Sequence, residues 1–211
     1  KIFGNGGSML PLANATYYPN DLTENAIQII GESDGVFNNE DYILFYAQGV
    51  DTWSQESQTN INLYDSKSYY YVTIQESNGK RIQNLTQPSG NSTLNLSTFD
   101  DHQFHEKDLT NIGRVGRKWF GEGFEINQEQ EFSFNFPNID TSTPIKLSIN
   151  TASSAITTTT FKVLANGQEV GTMSFPPLAQ NSSILFYESS LPTNTTFPSS
   201  ENVKIKLSYN N

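Results

Sequence analysis

The 211-residue chain has no cysteine. That absence excludes a disulfide framework, a zinc–thiolate centre and thiol catalysis within it. Positive charge is also scarce: 12 Lys and Arg stand against 22 Asp and Glu, a net charge of −10. Nucleic-acid binders need clustered cations to displace counterions from phosphates. The densest basic cluster, Arg114-Val-Gly-Arg-Lys118, reads as a solvated loop, so no nucleic-acid partner is expected. An anionic membrane surface is disfavoured on the same ground. No apolar run approaches the ~20 residues of a spanning helix, and no membrane insertion is expected. Helical periodicity is missing, with room for one short turn between Phe104 and Thr110. There is no Gly-x-Ser-x-Gly elbow for a serine nucleophile.

What the chain does have is rings and short alternating runs. Hydrophobic residues make up 35 %, yet 14 Phe, 10 Tyr and 2 Trp are among them. Each ring can bury roughly 150–250 Å², enough for a few to anchor a core. Phe132, Phe134 and Phe136 alternate with polar residues, as do Ile145, Leu147 and Ile149, and Val203, Ile205, Leu207 and Tyr209. Such alternation means one face buried and one wet, the signature of antiparallel sheets. Asn166-Gly167 between Phe161–Ala165 and Gln168–Phe175 is the strongest hairpin signal, and Asn78-Gly79 after Tyr69–Ile74 predicts a second. Ala26–Ile30 and Tyr42–Tyr46 are compact apolar strands. The fold class is all-β: antiparallel strands in two packed parts, the second a jelly-roll-like β-sandwich. The Asn/Ser/Thr-rich stretch around Pro88-Ser-Gly90 marks the boundary, giving an N-terminal β-segment at 1–88 and a sandwich at 89–211.

Three groups of side chains invite a chemical reading. Laid on an EF-hand loop, Asp34 falls at position 5, Gly35 at 6 and Asp41 at 12. Position 1 is then Ile30, which offers no side-chain oxygen, so an Asp-Gly turn leading into Tyr42 is preferred to a calcium site; Asp34 and Asp41 stay as weak calcium candidates and no other cofactor is expected. His102 and His105 form an H-x-x-H pair, with Glu106, Asp100 and Asp101 close in sequence. Two imidazoles at that spacing share a metal only on a helix, and surface or hydrogen-bonded histidines are the preferred reading. Trp53, Trp119 and Tyr70 are candidates for a ligand or partner surface, although a core role is favoured for each ring.

The segment Phe3-Gly-Asn-Gly-Gly7 with Leu10-Pro11 resembles part of the PorU family of type IX secretion system sortases, which are gingipain-like, C25-type peptidases of Bacteroidetes surfaces. The likeness continues through Asp21-Leu22, Glu24-Asn25-Ala26, Gly31-Glu32, Asp34-Gly35, Phe37 and Asp41–Tyr46. Gly49, Trp53, Tyr69-Tyr70, Gly79–Ile82, His105-Glu106, Asp108, Asn111 and Trp119–Glu122 extend it to about Pro137. The resemblance implies removal of sorting signals from secreted cargo by a Cys–His pair in a separate α/β domain. Nothing here matches that domain, so it implies the non-catalytic β-region preceding the peptidase, on the bacterial surface or secreted. The downstream peptidase domain, cargo C-terminal signal domains and secretion-complex proteins are then the expected partners. Lys1 is not an initiator Met, and the chain reads as a fragment of something longer. The alternative is a carbohydrate-binding β-sandwich module that stacks Trp and Tyr on sugars. A stand-alone acidic hydrolase is more remote, since spacing nominates no carboxylate pair.

Overall fold

The computed structural model describes residues 1–87, 89–92 and 94–211. It is all-β and antiparallel, and it divides into two compact units, Lys1–Leu96 and Ser97–Asn211. Pro88, where the sequence places its boundary, lies outside the described residues.

The first unit is built from short strands. β1 (Ile2–Phe3) lies between β2 (Glu24–Asn25) and β5 (Tyr71–Val72). β3 (Ile27–Ile30) pairs with β4 (Tyr42–Phe45) in the register Ile27↔Phe45 to Ile30↔Tyr42. Between them runs one 3₁₀ turn, Glu32–Asp34, ended by Gly35 at φ 75°. Among the described residues Ile2 and Ile27 are the buried apolar side chains of this unit. Its links are long in sequence: the Lys1 ammonium donates to Thr73 O at 2.8 Å, and Ile2 opposes Val72. The hairpin expected at Asn78-Gly79 does not form. Strand pairing after Tyr69 is confined to Tyr71–Val72, and Arg81 instead makes a parallel bridge with Ile27. Neither Asn78 nor Gly79 takes the positive φ that a tight I′ turn demands.

The second unit is a sandwich. Its larger layer comprises β6 (Glu129–Asn135), β9 (Thr159–Ala165), β10 (Gln168–Phe175) and β13 (Asn202–Asn210) in the order β10-β9-β13-β6. Asn166-Gly167 joins β9 to β10 with φ 48° and 83°, and Ala165 opposes Gln168, a two-residue turn as the sequence predicts. The ladder slips at Glu169–Gly171, which leaves Val170 as an extra residue.

The smaller layer is one irregular ribbon. β7 (Ile145–Lys146) and β8 (Asn150–Ser153) run against β12 (Thr196–Phe197) and β11 (Tyr187–Ser190) respectively. Leu191 N–H to Ile149 O at 3.1 Å and Leu147 N–H to Thr195 O at 3.0 Å bridge the two pieces. Leu191 and Phe197 from the ribbon join Phe161, Val163, Met173, Phe175, Val203, Ile205 and Leu207 in one core. Phe161 is its centre, with rings of Phe124, Tyr209 and Phe175 at 4.9, 5.3 and 6.0 Å. Ser153 and Thr159 share a buried hydroxyl contact of 3.0 Å, which satisfies both. The wet face of the larger layer carries Lys162–Glu169, Lys204–Glu131 and Lys206–Glu129 pairs at 2.8, 2.9 and 2.7 Å. Exposed pairs of this kind are screened by solvent and add little to stability.

Candidate functional site

Tyr70 ties two segments of the first unit together. Its hydroxyl accepts from Gln48 N–H at 2.7 Å and donates to Gln48 O at 3.0 Å, and its ring meets Phe45 edge-on at 5.4 Å. The flanking Tyr69 and Tyr71 are exposed. Tyr70 also lines a shallow cavity of ≈170 Å³ with Asn5, Thr23, Asn25, Tyr46 and Gln48, whose walls carry no charge. The Tyr46 ring at that cavity is 80 % exposed. Much of the wall's hydrogen bonding is internal: Asn5 Oδ1 accepts from Thr23 N–H at 2.8 Å and Asn25 Nδ2 donates to Gly4 O at 2.8 Å.

Trp53 and Trp119 are 51 % and 44 % exposed, so the core role favoured from sequence is corrected for both. Each stands beside a turn instead of facing a sheet. Trp53 Nε1 donates to Gln55 Oε1 at 3.3 Å, and Trp119 precedes Phe120, whose backbone pairs with Thr110 and whose ring meets Phe186 at 5.5 Å.

Asp34 and Asp41 act as turn builders. Asp34 Oδ1 accepts from Val36 N–H at 3.0 Å, and Asp41 Oδ2 accepts from Asn38 N–H at 2.8 Å. Among the described residues no three His, Asp or Glu side chains stand close enough to share a metal ion.

His102 and His105 do not lie on a helix, so the spacing that would aim both imidazoles at one ion is lost. His105 Nε2 lies 3.0 and 3.2 Å from the Glu122 carboxylate oxygens, its ring rests on Phe132 at 4.5 Å, and Lys107 Nζ reaches Glu122 Oε1 at 3.0 Å. Burial pushes the Glu122 carboxyl up, but hydrogen bonds from Lys107, from backbone and from His105 outweigh it and hold the group below the usual glutamate range. Asp108 is pushed up, first by burial and then by the Glu106 charge. Glu122 is thus the hub of an ion-pair knot, a role that its Trp-Phe-Gly-Glu context did not announce.

A further feature escaped the sequence reading. β4 pairs on one edge with β3, while no described strand pairs with its other edge. Tyr42, Ile43 and Leu44 are all exposed along it. Only the run of four apolar residues with no Lys or Pro signalled this.

No family model matches the chain, and no curated relative matches it. The architecture defines an all-β, antiparallel protein with a sandwich-like second unit. That fold is similar to part of the dimeric latent PorU of Porphyromonas gingivalis, in its crystal structure. The likeness covers 99 % of this chain with a TM-score of 0.67 at 19 % identity. The chain spans 20 % of the length of that protein. No helix among the described residues is long and apolar enough to cross a membrane.

Proposed function

We propose that this chain is a non-catalytic β-region of a surface-exposed bacterial type IX secretion sortase. It supports a peptidase domain of the same polypeptide and docks cargo signal domains or proteins of the secretion complex. The observation that carries the reading is the fold likeness to PorU along nearly the whole chain. The absence of any cysteine fits a supporting role, because the peptidase chemistry that the resemblance implies needs a thiolate. Exposed apolar strand edges suit docking by strand addition.

Reading the gene in the source organism beyond the codon for Asn211 tests this. The expected result is a downstream α/β segment carrying a His and then a Cys. A stop codon, or an unrelated catalytic domain, refutes the sortase role.

The second reading, a carbohydrate-binding module, is favoured by one observation: the uncharged cavity beside the exposed Tyr46 ring. Saturable binding of a neutral oligosaccharide, lost in Tyr46→Ala, supports it; binding that survives the substitution removes the cavity from consideration.

A further inference from the structure

We propose that the open edge of β4 is a strand-docking site for an extended peptide segment that alternates apolar side chains with Lys or Arg. The proposal deepens the docking role above and rests on that reading for the partner's biological identity.

Ile27 establishes which backbone groups are open. Its N–H donates to Lys80 O at 3.0 Å and its C=O accepts from Ile82 N–H at 2.9 Å, so both face residues 80–82 and turn away from β4. In an antiparallel ladder, opposed residues alternate between exchanging hydrogen bonds and facing away from each other. Ile27↔Phe45 is therefore a non-bonded pair, Gln28↔Leu44 a bonded one and Ile29↔Ile43 again non-bonded. The N–H and C=O of Ile43 point to the edge where no described strand pairs. Proteins ordinarily blunt such an edge with Lys, Pro, a bulge or an inward charge. β4 reads Tyr-Ile-Leu-Phe, has no bulge in its register, and continues into the exposed Tyr46.

The turn before the strand is built in advance. The Asp41 carboxylate lies against Gly31 at φ 91°, in space that a Cβ would occupy. Asp41, Asp34 and Asn38 hold the N–H groups of Asn38, Val36 and Glu40 at 2.8, 3.0 and 3.0 Å. Val36 and Phe37 are thereby exposed in the turn before the strand on a backbone held by these bonds, which lowers the ordering cost of binding. Charge then selects the partner. Glu32 is paired with Arg81, whereas Asp34, Glu40 and Asp41 take part in no ion pair among the described residues. Three carboxylates without an ion pair thus stand in the turn that leads into the apolar edge, and their charge favours a cationic strand there over an acidic one.

The test is a titration of the ¹⁵N-labelled chain with a ten-residue peptide of alternating Val and Lys, and with its Val/Glu counterpart. The expected result is amide shift changes centred on Tyr42–Phe45, with the Glu peptide binding at least about tenfold more weakly. Ile43→Pro should abolish binding, because it removes an outward N–H and leaves the ladder bonds to β3 in place. The double variant Asp34→Asn, Glu40→Gln leaves the strand backbone untouched and should weaken the Lys peptide about tenfold. Shift changes centred elsewhere, equal binding of the two peptides, or no binding at millimolar peptide overturns the proposal. Peptide binding at β4 in a protein whose gene encodes no peptidase keeps the edge and removes the sortase role. A peptidase domain with no binding at β4 does the reverse.

Discussion

Phe161→Ala is the perturbation that probes the sandwich most deeply. Phe161 is 4 % exposed and its ring meets those of Phe124, Phe175 and Tyr209 in edge-on or tilted contacts. Truncating a buried Phe to Ala costs about 3–5 kcal/mol, from lost transfer energy and the cavity left behind. Each ring pair can add ~0.5–1.5 kcal/mol beyond area burial, which places the loss near the upper end. Domains have only about 5–15 kcal/mol of stability in total, so the variant forfeits a large part of it. For a unit of this size the melting temperature should fall by roughly 12–20 °C. Thermal unfolding followed by near-ultraviolet circular dichroism reads this, since the rings themselves report packing. Phe99→Ala is the control, because that ring is 87 % exposed and should leave the transition in place. A fall below about 3 °C for Phe161→Ala would refute the claim that one continuous ring-centred core holds the second unit.

Other outcomes follow from single contacts. Gly167→Ala should destabilise the β9–β10 hairpin by about 1 kcal/mol, because a Cβ is disfavoured at φ 83°; urea unfolding measures it. Tyr70→Phe removes both bonds to the Gln48 backbone and should cost about 1–3 kcal/mol locally, seen as faster hydrogen exchange at the Gln48 amide. The Glu122 carboxyl is held below its ordinary range, so its contribution is present above the unfolded pKa and is lost as pH falls through the folded one. Glu122→Gln should therefore flatten the acid limb of the melting-temperature profile. Asp108 has the opposite sign: its raised pKa makes the ionised form costly in the fold, so Asp108→Asn should stabilise at pH 7 and lose that advantage in acid.

The sequence shows the second unit well and the first poorly, for a physical reason. Strands of seven to nine residues such as β6, β9 and β13 alternate long enough for the period of two to be plain, and Asn166-Gly167 fixes a local register. In the first unit strands run two to four residues, and their pairing joins residues as far apart as Ile2 and Val72, which no local turn announces. Asn78-Gly79 misleads there because Lys80 to Ile82 is claimed by Ile27 and not by the preceding strand. The resemblance to a sortase family drawn from residues in both units finds no matching family model, and the fold comparison meets it at the level of architecture alone. The candidate sites fared unevenly. Trp53, Trp119 and Tyr70 read alike in the sequence, as candidate contact rings with a core role favoured, yet both Trp residues are exposed and Tyr70 ties two segments together. The Glu122 knot depends on residues 15 and 17 positions apart, beyond the reach of spacing arguments.

The proposal to be tested is that this region serves sortase action without performing the chemistry. The most direct measurement is cargo processing in source cells whose gene lacks the codons for residues 1–211, with surface levels of the shortened protein checked by immunoblot. The account predicts a normal surface level of that protein and cargo that keeps its C-terminal signal. Cargo cleaved as in the parent strain would contradict it.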